Sequence, residues 1–361
     1  MDAARRDSCL ALGVDVIRAD SRRLRSWGFD AGALRADVEK WFTASALKRL
    51  LGPARTETDR IARAWLARSG KRWRPFILTA TFGALCRRSL ARRALPEDVR
   101  KLALAVECFH KASLIHDDIE DSDATRYGEK TLHVEYGVPV ALNTGDLLLG
   151  EGYRLIGEVS DGAQTSAMLR IAAEGHRDLC AGQGKELCWM RDPAPLSAGE
   201  VVDIFRGKTA PPFRVALRLG AICAGADDEV SRIAIPYSES LGVAYQIRDD
   251  IADFWDGGFG DFKARRLSLL LAIAYERCRG QERKMIDGIW RRSPSSGRVQ
   301  PALERVFKVR GVSEQAGRML ESFKAEAVRS LQPLANADLK DLLGHAVEQI
   351  FGGASVRKTR L

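Results

Sequence analysis

Apolar residues recur along most of the chain at the three- to four-residue spacing of a helix, and the two-residue alternation typical of strands is nearly absent. Alanine, leucine, arginine and glutamate dominate these stretches, and all four are good helix formers. The sequence therefore predicts an all-α fold. The periodic stretches predict about a dozen helices, at 37–51, 59–69, 74–85, 98–121, 138–159, 163–179, 198–205, 212–224, 231–255, 268–278, 314–331 and 337–351.

The predicted loops are short and none has the composition of a linker between domains. Proline, glycine, serine or dense charge interrupts the helical period at 90–97, 122–132, 192–196, 256–261 and 293–298. No repeat of solenoid length occurs in the sequence. These observations predict one helical domain over residues 31–352, with a peripheral N-terminal arm at 1–30 and a basic tail at 353–361.

Composition narrows the classes of function without selecting one. The net charge of +9 is compatible with anionic partners, but the arginine pairs are short and dispersed, so nucleic-acid binding is not favoured. The apolar stretches are shorter than the ~20 residues of a membrane-spanning helix, which predicts no transmembrane segment. The seven cysteines are scattered without a CxxC pair, as expected of reduced thiols in the cytoplasm.

The first candidate site is an acidic cluster in SLIHDDIEDSDATRYG, which begins at residue 113. Helical spacing places His110, Asp117 and Asp121 on one stripe, with Asp118 beside them. Asp117 and Asp121 are one helical turn apart, ~5.4 Å along the axis. Two carboxylates at this spacing can share bridging divalent cations, so the cluster predicts a metal site.

A second acidic cluster repeats this pattern in YQIRDDIADFWDG. Asp249, Asp250 and Asp253 have the same internal spacing as the first cluster, and Gln246 lies one turn earlier. Each cluster alone is equally compatible with a charged helix end. Two facing clusters would instead form a deep acidic cavity, in which Mg²⁺ would be held by carboxylates, water and the phosphates of a substrate. The recurrence therefore favours a diphosphate site.

Cationic motifs accompany the acidic clusters in a fixed order along the chain. The order is GKRWRP, HKASLIHDDIED, RYG, GVPVALNTGDLLLGEG, GQGKEL, KTA and YQIRDDIAD, over about residues 69–270. This set resembles the trans-isoprenyl diphosphate synthases, the polyprenyl synthetase family, and among them the geranylgeranyl diphosphate synthases. The resemblance implies an antiparallel helical bundle around a central cavity, the class I isoprenoid synthase fold, usually as a homodimer.

The same resemblance implies a trans-prenyltransferase that condenses an allylic prenyl diphosphate with isopentenyl diphosphate. Arg126 and Lys208 would contact the allylic diphosphate, while Thr209 and Gln246 would stabilise the allylic cation. Isopentenyl diphosphate would be bound by Lys71, Arg74 and His110. The further candidate substrate-binding residues are Arg72, Tyr127 and Arg266. The Mg²⁺ ions would be coordinated by six aspartates, namely Asp117, Asp118, Asp121, Asp249, Asp250 and Asp253.

The chain departs from the family pattern at two cationic positions. The family normally has two arginines before the glycine of the RYG motif, and here the second position is Tyr127. Tyrosine donates one neutral hydrogen bond and lacks the charged fork of arginine. The lysine expected after the second acidic cluster is also missing, although Arg266 retains part of the charge.

These departures leave two alternative functions open. One is a class I terpene synthase, or an atypical prenyl-coupling enzyme, on the same scaffold. The other is a noncatalytic subunit of a heteromeric prenyl synthase, which the two intact DDxxD motifs disfavour because such a subunit has no need of them.

Product length is predicted from the residues just before the first acidic cluster, which limit the growing chain in this family. Ala112 and Ser113 are small and leave room, while Phe109 lies one turn deeper and can form a floor. The sequence therefore predicts geranylgeranyl diphosphate or a longer all-trans polyprenyl diphosphate. Ala112→Phe is expected to shorten it.

Overall fold

The computed structural model describes residues 31–86, 95–255, 266–291 and 299–352, and these residues are almost entirely helical. The predicted arm at 1–30 and tail at 353–361 lie outside the described residues. No described helix is long and apolar enough to cross a membrane. The elements are α1 (Ala31–Lys40), α2 (Ala44–Leu51), α3 (Glu57–Ala67), α4 (Trp73–Leu85), α5 (Glu97–Glu120), β1 (Thr125–Arg126), β2 (Glu129–Lys130), α6 (Leu132–Tyr136), α7 (Val138–Gly157), α8 (Gly162–Arg191), α9 (Ala198–Cys223), α10 (Asp227–Trp255), α11 (Leu269–Arg277), α12 (Gly280–Arg291), α13 (Val299–Val309), α14 (Val312–Arg329) and α15 (Ala337–Phe351).

Three long helices, α5, α9 and α10, organise the bundle. Helix α5 packs on α4 and α7, α9 packs on α4, α8 and α10, and α10 also packs on α14. Short loops join most consecutive helices, so sequential neighbours run antiparallel. The core between them is apolar and closely packed, with large buried side chains at Trp65, Phe76, Phe205, Phe213, Tyr237 and Trp290. The predicted all-α fold is confirmed.

Glycines bring α9 into close contact with the helices on both of its sides. A Cβ atom on Gly182 of α8 would overlap the backbone of Gly207 of α9. On the other side, a Cβ on Gly242 of α10 would lie 3.0 Å from the backbone nitrogen of Ala210. Because only glycine permits this approach, α8, α9 and α10 are held at short spacing where the site lies.

The predicted break between two helices at 198–205 and 212–224 is wrong. Helix α9 is continuous through Pro211 and Pro212. It starts at a capping box in which the Ser197 side chain accepts from the Glu200 backbone and Glu200 accepts in return from the Ser197 backbone. Proline removes one helical hydrogen bond and disfavours the helix locally. Here the packing on α8 and α10 outweighs that preference.

Other boundaries also differ from the prediction. Helix α8 continues to Arg191, twelve residues beyond the predicted end at 179. The stretch predicted as one helix at 37–51 is two helices, because Thr43 caps a new helix and accepts a hydrogen bond from the Ala46 backbone. Helices α12 and α13 were not predicted. Each is about three turns long and carries one apolar face, a signal that the sequence prediction missed.

The segment predicted as a loop at 122–132 contains a small hairpin. Thr125 pairs with Lys130, and Arg126 pairs with Glu129. The two turn residues, Tyr127 and Gly128, have φ angles of 56° and 79°. Positive φ at both positions is the geometry of a tight hairpin turn. A non-glycine residue is uncommon in this conformation, and the turn presents Tyr127 to the cavity described below.

Candidate active site

An elongated cavity of about 650 Å³ opens among α4, α5, α8, α9 and α10. Along α5 its wall changes from apolar at Val106 and Phe109 to acidic at Asp117 and Asp121, over ~22 Å of helix. The wall contains all but two of the predicted site residues, namely Lys71, Arg72, Arg74, Phe109, His110, Ser113, Asp117, Asp121, Arg126, Tyr127, Lys208, Thr209, Gln246, Asp249, Asp250, Asp253 and Arg266.

The first acidic cluster lies at the C-terminal end of α5. Burial raises the pKa of Asp117 to about 7, against the opposing field of Lys208. Asp118 lies behind the cavity wall with its side chain 1% exposed, and Arg126 Nε donates to its Oδ1 over 2.5 Å. Burial raises the pKa of Asp118 to about 6, although Arg126 acts in the other direction. Both carboxyl groups therefore lose their proton less readily than an exposed aspartate, unless a further positive charge lies nearby.

The second acidic cluster lies on α10 and lines the same cavity. Arg248 donates to Asp249 Oδ1 over 2.6 Å. Asp250 Oδ2 accepts from the backbone N–H groups of Leu269 at 2.7 Å and Leu270 at 3.2 Å, and so caps the start of α11. One oxygen of Asp250 thus has a structural task that the sequence did not predict.

The donor set fits a hard divalent cation that keeps water and shares its ligands with a substrate. Asp118 Oδ2 is buried without a hydrogen-bond partner, and such an oxygen would gain from a nearby cation. Among the described residues, no three acidic, histidine or cysteine side chains are close enough to hold an ion by themselves. Mg²⁺ is commonly bound by one or two carboxylates plus water and substrate phosphates. The two clusters fit that mode of binding.

Cationic groups line the cavity beside the acidic clusters. The Arg74 guanidinium lies 4.9 Å from the centre of the Phe213 ring, and its Nε is buried without a hydrogen bond. Burial lowers the pKa of Arg74. Burial, followed by the field of Arg74, also holds the pKa of His110 well below its usual value. His110 is therefore a neutral hydrogen-bonding group.

Arg72, predicted to bind substrate, lines the cavity and is also engaged inside the protein. Its side chain is fully buried, and its guanidinium lies 2.5 Å from Glu107 Oε1. It also donates to the carbonyl oxygens of Leu66 and Arg68. Replacing a buried arginine in such a pair leaves its partner charge uncompensated. These bonds hold the segment that carries Lys71 and Arg74, and substrate binding by Arg72 stays a prediction.

Lys208 and Thr209 lie where α9 loses backbone hydrogen bonds. Pro211 and Pro212 have no N–H to donate to the carbonyls four residues earlier, those of Gly207 and Lys208. Lys208 Nζ lies 2.5 Å from Glu186, and the Thr209 hydroxyl is buried without a hydrogen bond. The continuous α9 therefore places backbone carbonyl groups without a helical hydrogen bond next to the Thr209 hydroxyl, in the segment that lines the cavity.

Arg266 connects the segment after the second cluster to the first. Its guanidinium lies 2.5 Å from Asp123 and 3.4 Å from Asp121. The prediction treated Arg266 as a substrate-binding residue, and nothing in the sequence indicated its pairing with Asp123, 143 positions away. This contact holds the segment before α11 against the C-terminal end of α5.

The apolar part of the cavity ends at an aromatic group. Phe109 packs against Tyr153 with ring centres 4.9 Å apart, and it lies so close to Gly152 that a Cβ there would overlap the ring. The Tyr153 hydroxyl lies 3.0 Å from His176 Nδ1. Tyr153 and His176 were not predicted, because no sequence pattern pairs two helices at that separation.

Ala112 does not line the cavity, contrary to the prediction. Its side chain is completely buried, and the cavity wall on α5 contains Ser113 and Phe109 instead. The two adjacent positions differ by 100° around the helix, and the sequence alone did not fix which of them faces the cavity. Ala112→Phe is now expected to disturb packing.

The fold and this acidic, cation-lined cavity define a class of all-α isoprenoid synthases. One solved structure of the same fold is a polyprenyl synthase from Caulobacter crescentus CB15 complexed with calcium and isoprenyl diphosphate. The TM-score is 0.74 at 24% identity, and the match covers 91% of this chain and 95% of that one. The similarity shows the fold.

The family follows from sequence comparison. The polyprenyl synthetase family model matches residues 55–306, so the chain belongs to that family. A geranylgeranyl diphosphate synthase of Sulfolobus acidocaldarius is 28% identical over 295 residues, which cover 78% of this chain and 85% of that protein. A short chain isoprenyl diphosphate synthase of Methanocaldococcus jannaschii is 30% identical over 184 residues, which cover 51% of this chain and only 54% of that protein. The predicted class of enzyme, a trans-prenyltransferase, agrees with both relatives.

Proposed function

We propose that the protein is a Mg²⁺-dependent trans-prenyltransferase that joins an allylic diphosphate to isopentenyl diphosphate. The product would be geranylgeranyl diphosphate or a longer all-trans polyprenyl diphosphate. The observation that carries this proposal is the meeting of both acidic clusters in one cavity that also has cationic and apolar walls. Family membership supports the same reaction, and the similar solved structure holds a divalent cation with isoprenyl diphosphate.

In this proposal some side chains act on the leaving diphosphate and others stabilise the allylic cation. Mg²⁺, when held by the aspartates, would neutralise charge on the leaving diphosphate. Lys208 and Arg126 would orient the same group from α9 and the hairpin. The Thr209 hydroxyl and the Lys208 carbonyl, freed by Pro212, would direct their negative dipole ends at the allylic cation. The apolar wall would keep water from that cation.

The second substrate would bind at the other cations of the cavity. Lys71 and Arg74 would pair with the diphosphate of isopentenyl diphosphate, and neutral His110 would donate one hydrogen bond to it. Its double bond would attack the allylic cation, and the resulting cation would lose a proton to the released diphosphate. This placement leaves the growing chain to extend toward Phe109.

The assay for this function uses purified full-length protein with labelled isopentenyl diphosphate, Mg²⁺ and each allylic primer. We expect elongation, seen as label in prenols after dephosphorylation. Cyclised or rearranged products without incorporated label would instead support the class I terpene synthase, the alternative raised by Tyr127. No turnover with any primer would support the noncatalytic subunit.

Ser113→Phe is expected to shorten the product by at least one isoprene unit. A phenyl ring at this position would enter the cavity between the acidic end and Phe109, because Ser113 lines the wall. Chromatography of the dephosphorylated prenols measures the change. Ala112→Phe is the matched control: it alters the neighbouring position outside the wall, and we expect a lower melting temperature with the product length retained. Unchanged length in Ser113→Phe would show that another residue sets the limit.

We further propose a homodimer that forms through the exposed face of α7. Two apolar side chains, Leu142 (48% exposed) and Leu147 (38% exposed), flank the solvent-facing side of this helix, with Asn143 and Asp146 exposed between them. A twofold axis would pair this face with its own copy and bury these side chains.

Leu142→Glu is expected to convert the dimer to monomer, because it replaces an apolar side chain of the paired face with a charge. Analytical ultracentrifugation measures the change. Val309→Glu is the matched control, since Val309 is 66% exposed on α13 and away from α7. A Leu142→Glu variant that sediments as the parent does would refute the interface.

A further inference from the structure

A buried lysine lies directly behind the candidate diphosphate site. Lys111 of α5 is 0% exposed. Its Nζ donates to the carbonyl oxygens of Arg68 at 3.2 Å and Ser69 at 3.0 Å, which follow the end of α3. Neither bond neutralises the ammonium charge, because both acceptors are uncharged carbonyls. Burial lowers the pKa of Lys111 to about 8, so most molecules still carry the proton at neutral pH.

The charge of Lys111 lies against the ring of Tyr127. Nζ is 4.5 Å from the centre of that ring, within the distance of a cation–π contact. Tyr127 lines the cavity, and its hydroxyl lies 3.7 Å from the position of a Cβ on Gly70. The residue is held at φ 56°, a conformation that non-glycine residues rarely adopt. The hairpin thus keeps the ring between the buried ammonium and the cavity.

The turn at 68–70 connects this lysine to the cationic motif. Arg68 donates to the Lys130 carbonyl and pairs with Glu129, so the turn is also tied to the hairpin. Lys71 follows the turn directly and lines the cavity. Lys111 therefore touches both features that flank the second substrate: the backbone before Lys71 and the ring of Tyr127.

We infer that Lys111 and Tyr127 together replace the arginine that the family pattern has at position 127. Lys111 is a positioning residue: it fixes the turn before Lys71, and its ammonium contacts the face of the Tyr127 ring and so holds the Tyr127 hydroxyl where it can donate to a diphosphate. The pair would serve the diphosphate of isopentenyl diphosphate and rests on the proposed function for that ligand. Lys111 of α5 would thus compensate for the arginine that is missing at position 127.

The test measures the Kd of isopentenyl diphosphate by calorimetry for the full-length parent and three variants. Lys111→Met keeps the length of the side chain without its charge, and we expect it to raise Kd about tenfold. Tyr127→Phe removes only the hydroxyl, and we expect a rise of about threefold. Lys111→Met/Tyr127→Arg returns a cation from the hairpin, and we expect Kd within about threefold of the parent. The KM for the allylic primer is expected to change less than about twofold in all three.

A purely structural lysine gives a different result. It would lower the melting temperature of Lys111→Met, affect both substrates alike and show no rescue by Tyr127→Arg. That outcome, or an unchanged Kd in Lys111→Met, overturns the inference. If Lys111→Met does not fold, an unchanged Kd in Tyr127→Phe overturns it equally. A parent that binds isopentenyl diphosphate but never elongates it refutes the proposed function alone, since the Kd comparison among variants remains valid.

Discussion

Asp117→Asn is expected to lower kcat about 1,000-fold without lowering the stability of the protein. The amide keeps the shape of the side chain and removes the negative charge that would hold a cation at the leaving diphosphate. Asp117 lines the cavity at the end of α5, where burial raises its pKa to about 7. Steady-state kinetics with labelled isopentenyl diphosphate measures the loss.

The raised pKa of Asp117 determines the expected sign of the change in stability. A carboxyl whose folded-state pKa lies above its unfolded value gives its full stability below the unfolded pKa and loses it as pH rises through about 7. At pH 8 without metal, the ionised carboxylate therefore destabilises the parent. Asparagine removes that cost, so the melting temperature of Asp117→Asn should equal or exceed that of the parent at this pH.

The matched control for Asp117→Asn is Asp203→Asn. Asp203 lies on the exposed face of α9 and pairs with Arg206. We expect its kcat to stay within about twofold of the parent, since a surface ion pair of this kind contributes little. An Asp117→Asn enzyme that retains more than about a tenth of parental kcat would remove Asp117 from the proposed chemistry.

Lys208→Met is expected to lower kcat about 100-fold or more. The variant removes the only charge that α9 contributes to the described cavity wall, opposite the acidic end of α5. The field of Lys208 already acts on Asp117, where it opposes the rise in pKa. Lys185→Met is the matched control, because Lys185 is an exposed lysine of α8, and we expect it to leave kcat unchanged.

Lys208→Met also breaks the pair with Glu186, so loss of stability must be separated from loss of catalysis. Glu186 is 6% exposed and lies 2.5 Å from Lys208 Nζ. An uncompensated buried carboxylate destabilises a protein. The double variant Glu186→Gln/Lys208→Met is expected to recover the melting temperature without recovering kcat. Recovery of kcat in the double variant would show that Lys208 serves only to neutralise Glu186.

The helices that carry the aspartates were predicted well because their signals are local. The predicted helix at 98–121 and the observed α5 at Glu97–Glu120 differ by one residue at each end. Each aspartate cluster has a fixed spacing on one long helical stretch, so its position on the helix follows from that spacing. The spacing could not show that the two clusters face each other across one cavity. That prediction depended on the family resemblance.

The cationic positions were harder to predict because their directions depend on the backbone. Arg72 has φ 50°, a left-handed conformation at the start of α4, and its side chain points into the protein toward Glu107. In a helical or extended segment, the same side chains would point in different directions. The sequence motif GKRWRP contains three cationic residues, but it does not show which of their side chains points into the protein.

The remaining differences between the predicted and the observed structure arise from packing between residues that are far apart in the sequence. The sequence predicted separate helices at 198–205 and 212–224, but α9 is continuous, and Gly182 and Gly242 pack closely against its backbone between these segments. The aromatic floor joins Phe109 and Tyr153 with His176 of α8, three positions with no common local signal. Lys111 belongs to the same category, since its partners on the 68–70 turn precede it by about forty residues.

The most direct test of the central claim is turnover of the parent protein after chelation of divalent cations. The claim is that aspartates of α5 and α10 bind a diphosphate through magnesium. Product formation from an allylic primer and labelled isopentenyl diphosphate is measured in EDTA and again after Mg²⁺ is restored. The account predicts no product above background in EDTA and full recovery with Mg²⁺. Undiminished turnover in EDTA would contradict it.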